Sequence, residues 1–147
     1  ARQLDELAIP FEILALSAHR TPDEVAEFAR GAEERGVRVI IAGAGMAAHL
    51  CGVIASMTPL PVIGVPIKAT LDGMDALLAI VQMPPGIPVA TVGINGAQNA
   101  ALLAAQMLSL GDADLKKRLK AFKEGLKEKV VRANADLKEV KYNFKTN

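Results

Sequence analysis

The amino-acid sequence predicts an α/β domain built on a parallel sheet covered by helices, and three observations carry that prediction. Short β-branched runs alternate with helical patterns in the order α-β-α-β-α-β-α-β-α-α. Short links between such elements favour parallel strands joined by right-handed crossovers. The 147 residues are 51% hydrophobic but only 3% aromatic, so the core must come from Ala, Val, Ile and Leu, as in strands buried on both faces. No charged residue lies between Val39 and Ile67. That run exceeds the roughly 20 residues of a membrane span. Pro59, Pro61, Pro66 and four glycines nevertheless break it into short elements, which is the pattern of a buried core.

Each element has its own signal. Residues 1–7 place Leu4 and Leu7 on one helical face, with no capping residue ahead of them. Residues 11–16 (FEILAL) read as a short apolar strand, ended by the polar Ser17-Ala18-His19-Arg20. Thr21-Pro22-Asp23-Glu24 is a helix start, with Thr21 as N-cap, Pro22 at the first position and Glu24 completing a capping box. Val25, Phe28, Ala29 and Ala32 follow at helical spacing, and Gly36 closes the helix. Residues 37–42 form a strand, 43–50 a loop, and a helix of small residues runs to about 57. Further strands are expected at 60–65 and 88–94, and helices at 72–81 and 97–110. Gly64-Val65-Pro66 and residues 82–86 carry the Gly and Pro of ordered turns. Asn95, Gln98 and Asn99 are candidate caps for the helix they precede or open. From Asp112, the stripe Leu115, Leu119, Phe122, Leu126 and Val130 faces lysines across a long amphipathic helix to about residue 133, followed by a polar tail.

Composition excludes several classes. The formal net charge is +1, and the apolar content is too high for a disordered chain. Few aromatics and near-neutral charge argue against a nucleic-acid binder that stacks bases. The single Cys rules out a disulfide framework and a multi-cysteine metal site, and suits a reducing, cytoplasmic compartment. Residues 1–7 show no apolar signal-peptide stretch. Charge is split along the chain. Residues 1–111 hold six Lys/Arg against ten Asp/Glu, and residues 112–147 eleven against six, giving −4 and +5. An α/β body at 1–111 is therefore expected to carry a C-terminal helix and tail at 112–147, packed on the same domain or on a neighbouring subunit.

Ligands of open parallel sheets bind beyond the carboxyl ends of the strands. Residues 17–20 and 43–50 both leave such ends, and they contain both histidines of the chain. His19 sits between a hydroxyl and a fixed cation, Ser17 and Arg20, a combination suited to proton transfer beside a phosphate grip. A strand-end histidine bonded only to backbone is the alternative. His49 lies one turn into an apolar helix, where a satisfied core histidine is the more natural reading. Gly43-Ala44-Gly45-Met46-Ala47-Ala48 matches G-x-G-x-x-A after a strand. The acidic residue of a dinucleotide site is missing, because no Asp or Glu occurs between Glu34 and Asp72. What remains is a glycine-rich turn whose backbone N–H groups can approach an anion, or a plain tight turn. Two histidines without an acidic partner make a weak metal site. Cys51 reads as buried packing, with a low-pKa thiol near a helix start as the alternative.

Taken together, residues 17–22 (SAHRTP), 40–50 (IIAGAGMAAHL), 60–66 (LPVIGVP), 73–92 (GMDALLAIVQMPPGIPVATV) and 99–106 (NAALLAAQ) resemble the PurE family, and its class I form most. The resemblance spans nearly the whole chain to about residue 110. It implies a flavodoxin-like three-layer fold, a homo-octamer, and transfer of a carboxylate from N5 to C4 of an aminoimidazole ribonucleotide without metal or organic cofactor. It implies His19 as the general acid/base. Ser17, Ala18 and Arg20 would line the nucleotide site, with Arg20 on the phosphate. The 43–50 loop, with Gly43, Ala44, Gly45, Met46 and Ala47, would hold the carboxylate or CO2 through backbone N–H groups, and His49 and Leu50 would help shape that pocket. Met46 stands where many members have Gly, and Cys51 where many have Pro. Members also begin with a strand and a Gly-Ser-x-Ser-Asp phosphate loop that this sequence lacks, so further residues upstream of Ala1 are expected. Direct carboxylation with CO2, as in the class II relatives, and an inactive assembly subunit are the alternative readings. No nucleic acid or membrane partner is expected.

Overall fold

The computed structural model describes residues 1–147. Helix α1 (Arg2–Glu6) and helix α2 (Pro22–Gly31) precede strand β1 (Ile40–Gly45). Helix α3 (Leu50–Ala55), strand β2 (Val62–Ile67), a single 3-10 turn (Leu71–Gly73) and helix α4 (Met74–Val81) follow. Strand β3 (Ala90–Thr91), helix α5 (Ala97–Leu108) and helix α6 (Ala113–Glu139) complete the chain. The three strands are parallel in the order β1-β2-β3, with Ile40 opposite Val62 and Ile63 opposite Ala90.

Strand alternation explains the layers. Side chains of one strand point to opposite faces with period two. Ile40, Ala42 and Val62 pack on one face against Val25 and Ala29 of α2, Cys51 and Ile54 of α3, and Ala76 and Ile80 of α4. Ile63 and Val65 turn to the other face, against Ala100 and Ala104 of α5. The result is a three-layer α/β/α arrangement of the flavodoxin-like kind. A smaller cluster joins Leu7, Ala105, Leu115 and Leu119, tying α1, α5 and the start of α6 together. The Arg118 Nε–H donates to the Leu7 carbonyl at 2.9 Å across the same contact.

Several boundaries differ from the sequence expectation. Residues 11–16 form no strand and no other regular element. Their backbone makes no hydrogen bond to other backbone groups, and β1 pairs only with β2. A groove of about 270 Å³ separates it from β1, lined by Ile13, Leu14, Ile41 and Ile54 among others, and Ile13 is left 79% exposed. Gly43–Gly45, expected as loop, are instead the last three residues of β1, opposite Val65, Pro66 and Ile67. Gly64–Pro66 is therefore strand interior rather than a turn, and the Pro66 carbonyl still accepts from the Asn95 N–H at 2.8 Å. Strand β3 is shorter than 88–94.

The helix ends also differ in detail. Thr21 makes no side-chain cap on α2, since its hydroxyl is committed to the Ser17 peptide. Gly36 does terminate the turns after α2, at φ +86°. Its N–H bonds to the Glu33 carbonyl and that of Val37 to Ala32, the paired bonds of a Schellman motif. None of Asn95, Gln98 and Asn99 caps α5, whose N-cap is Gly96. Asn95 Oδ1 accepts from the Lys68 N–H, and Gln98 Nε2 donates to the buried Gln3 Oε1 at 2.7 Å. Asp112 caps α6 by accepting from the Asp114 and Leu115 N–H groups. Helix α6 runs past the expected 133, and its stripe is buried only at Leu115 and Leu119 and half-buried at Phe122.

Candidate active site

The site forms where two segments leave the sheet region side by side. The first is the tight turn 17–21. The Ser17 N–H donates to Thr21 Oγ1 at 2.9 Å, that hydroxyl donates to the Ser17 carbonyl at 3.1 Å, and the Thr21 N–H donates to the same carbonyl at 2.8 Å. These three bonds close the turn on itself and leave His19 near its apex. Arg20 folds back so that its N–H and Nε–H reach Ser17 Oγ at 3.3 and 3.4 Å. The predicted N-cap is thus the staple that positions the turn.

The second segment is the carboxyl end of β1 and its run into α3. Glycine suits position 45, because a Cβ there would lie tightly against its neighbours, 3.0 Å from the Ile67 carbonyl oxygen and 3.4 Å from the Ala69 Cβ. Met46 then adopts a left-handed backbone at φ +58°, which costs a residue with a side chain on the order of 1 kcal/mol. His49 is the N-cap position of α3. The Met46 and Ala47 amides donate to no backbone carbonyl, and both residues line the cleft, so these N–H groups can meet an anionic group.

The two segments face each other across a cleft of about 490 Å³, within the usual range for small-molecule sites. The residues that the family resemblance assigns to the site line it: Ser17, Ala18, His19 and Arg20 from the turn, and Gly43, Ala44, Gly45, Met46, Ala47, His49 and Leu50 from the second segment. Leu16 lines it as well. Sequence reasoning assigned that residue to a strand and missed it, although its place directly before Ser17 was the available signal. Arg20 is the only formally charged side chain in the lining, so the cleft favours an anionic ligand.

The histidines meet inside the cleft. His19 Nε2 lies 2.9 Å from His49 Nδ1, with the rings edge-on at 84° and their centroids 5.0 Å apart. One of these nitrogens carries the shared proton and the other accepts it. The contact fixes the rotamer of each ring and leaves the pair one proton to give or take, the property required of a general acid/base. Neither ring is bonded to a carboxylate. No cluster of three or more His, Cys, Asp or Glu side chains with metal-binding geometry occurs in the structure.

Cys51 lies beneath the site without taking part in it. Its thiol is buried and donates to the Ala42 carbonyl at 3.3 Å. Burial pushes its pKa up from 9.0 to about 11, with backbone hydrogen bonding opposing the shift. The alternative of an activated thiol is thereby overturned, since a thiolate would have to form among Ile54, Ala42 and Ile80.

Comparison with known proteins agrees with this architecture. Residues 1–129 match the AIR carboxylase family. The chain is 59% identical to the N5-carboxyaminoimidazole ribonucleotide mutase of Pyrococcus abyssi, over 86% of this chain and 74% of that protein. It is 54% identical to a phosphoribosylaminoimidazole carboxylase of Schizosaccharomyces pombe, over 93% of this chain and 25% of that longer protein. The crystal structure of Treponema denticola PurE superposes with a TM-score of 0.83 at 27% identity, covering 94% of this chain and 87% of that one. With a match across most of its length, relatives above half identity and a shared three-layer fold, the chain belongs to the AIR carboxylase family, to which PurE proteins also belong.

Proposed function

We propose that this protein is an N5-carboxyaminoimidazole ribonucleotide mutase of the class I kind. The observation that carries this reading is the hydrogen-bonded His19–His49 pair in a cleft whose one formal charge is Arg20. In the reaction, protonated His19 donates to N5 of the substrate as the N5–carboxylate bond breaks and CO2 is released. The electron-rich C4 of the imidazole then attacks CO2, forming the new C–C bond. Neutral His19 removes the proton from C4 and is restored to its starting state. One bond breaks, one forms, and the proton is returned, so the scheme as written calls on no metal or organic cofactor. His49 holds the His19 ring in place through the 2.9 Å contact. Arg20, steadied by Ser17 Oγ, takes the phosphate, which its guanidinium suits. The unpaired amides of Met46 and Ala47 face the carboxylate, with Gly43, Ala44, Gly45, Ala18 and Leu50 walling the pocket.

We also infer a homo-octameric, cytoplasmic enzyme. Leu126, Val130, Val131 and Leu137 lie exposed along α6, an apolar surface of the sort that copies of a chain bury in one another. No helix is long and apolar enough to cross a membrane.

The test is conversion of N5-carboxyaminoimidazole ribonucleotide to the C4-carboxylated isomer without added bicarbonate. Turnover under those conditions supports the mutase. Product formed only from aminoimidazole ribonucleotide plus bicarbonate would replace it with direct carboxylation. No product from either substrate would leave an assembly subunit.

A further inference from the structure

The sheet edge behind the cleft holds most of the left-handed backbone in the molecule. Of the five non-glycine residues with positive φ, Met46, Leu71, Asp72 and Asn95 belong to this edge, and only Ala8 lies elsewhere. Met46 directly follows β1, Leu71 and Asp72 lie in the 3-10 turn after β2, and Asn95 comes after β3. Strain of this sort persists only where the surrounding structure imposes it, and it concentrates at functional positions.

Residues 68–70 join β2 to that 3-10 turn and form a strap behind the cleft. None of them lines it. The strap nevertheless begins beside Ile67, which sits opposite Gly45 in the ladder. A Cβ on Gly45 would press against both the Ile67 carbonyl oxygen and the Ala69 Cβ. The last residue of β1 therefore rests on Ile67 and Ala69, and the next two residues are Met46 and Ala47, whose N–H groups are unpaired. Atoms packed this closely pass a displacement on rather than absorb it.

Side chains from two other elements fix the strap. Asn95 Oδ1 accepts from the Lys68 N–H at 3.0 Å, while the Asn95 N–H donates to the Pro66 carbonyl at 2.8 Å. At the far end, Thr70 Oγ1 donates to the Asp75 carboxylate, whose other oxygen accepts from the Ala76 N–H at 2.8 Å. The Thr70 hydroxyl is the main cause that holds the Asp75 carboxyl below its usual range, so the acceptor stays ionised at neutral pH. The Lys68–Asp72 ion pair is solvent-exposed and adds little. Resting on the mutase reading above, we propose that Asn95 and Asp75 are positioning residues, which act through the strap on Gly45 to aim the Met46 and Ala47 N–H groups at the N5-carboxylate of the substrate.

The experiment measures kcat and KM for N5-carboxyaminoimidazole ribonucleotide, the inhibition constant of aminoimidazole ribonucleotide, which lacks the carboxylate, and the melting temperature. Asn95→Gly removes the acceptor and suits the left-handed backbone. Thr70→Val removes the donor that ties the strap to Asp75. Each is expected to raise KM for the carboxylated substrate by about tenfold, the worth of one aligned hydrogen bond to a charged group. The inhibition constant and the melting temperature are expected to stay near wild type. Asn95→Asp and Thr70→Ser, which keep the acceptor and the donor, should return KM towards wild type. An unchanged KM in both Asn95→Gly and Thr70→Val overturns the proposal. Equal weakening of both ligands, or a marked fall in melting temperature, gives these residues a structural role only and overturns it too. A wild type that forms no product overturns the mutase reading, and this proposal with it.

Discussion

His19 and Cys51 show how placement decides what a reactive side chain does. His19 lies at the apex of a stapled turn in an open cleft, within 2.9 Å of a second imidazole. If it is the proton carrier for both half-reactions, His19→Asn keeps the turn and its packing but lowers kcat by roughly 10³-fold or more, at the upper end of what general acid/base catalysis supplies. Steady-state kinetics with circular dichroism on the same sample checks this, and an active, folded variant would refute the assignment. Cys51 is the opposite case. Its folded pKa of about 11 exceeds the unfolded 9.0, so the neutral thiol is favoured in the fold. Below pH 9 the thiol is protonated in both states and imposes no penalty. Between pH 9 and 11 the unfolded chain ionises first, and folding stability falls by on the order of 2–3 kcal/mol. Urea titrations across that window should show the slope in wild type and its loss in Cys51→Ala. Both histidine-bearing segments and the buried thiol were legible from sequence because His19 closes the apolar run 11–16, His49 follows strand β1, and Cys51 lies within an apolar run. The His19–His49 contact was not, since it joins residues thirty apart through the packing of separate elements.

At the scale of elements, small residues set where strands and helices can approach. Gly64 sits mid-strand on the face that meets α4. A Cβ there would come 2.4 Å from Ile80 Cγ2 and 3.3 Å from Cys51 Sγ. Gly64→Ala is therefore expected to cost about 1–3 kcal/mol by overpacking. The double variant with Ile80→Ala, which removes the clashing methyl, should lose less than the sum of the two single changes. Denaturant melts of the four proteins give the coupling, and strict additivity would show that α4 moves freely away. The same close approach explains two sequence misreadings. Glycines read as loop or turn signals at 43, 45 and 64 are strand residues, and at Gly45 and Gly64 the fold uses the missing side chain rather than a flexible backbone. Residues 11–16 fail in the other direction. FEILAL has strand composition, but strand formation needs a hydrogen-bonding partner as well as a preference, and the sheet offers none beside it.

The whole molecule is an apolar three-layer body carrying a long basic helix. The first turns of α6 are anchored by Leu115, Leu119 and the Arg118–Leu7 bond, while Val130 is 70% exposed further along. If copies of the chain associate by burying this stripe, the paired change Val130→Glu with Val131→Glu should shift the sedimentation profile to smaller species and leave the melting of the α/β body in place. An unchanged profile would mean that this surface simply faces water. The sequence by itself determined the class of the fold, the apolar centre at 39–67, the helix periodicities, and the gathering of both histidine segments at one edge of a parallel sheet. All of these follow from local pattern and from the handedness of crossovers. Only the tertiary structure decided strand register, the fate of residues 11–16, the loss of the Thr21 cap to Ser17, the His19–His49 bond and the left-handed backbone at Met46. Those depend on which groups from distant segments compete for the same space and the same hydrogen bonds, and periodicity along a single chain carries no record of that competition.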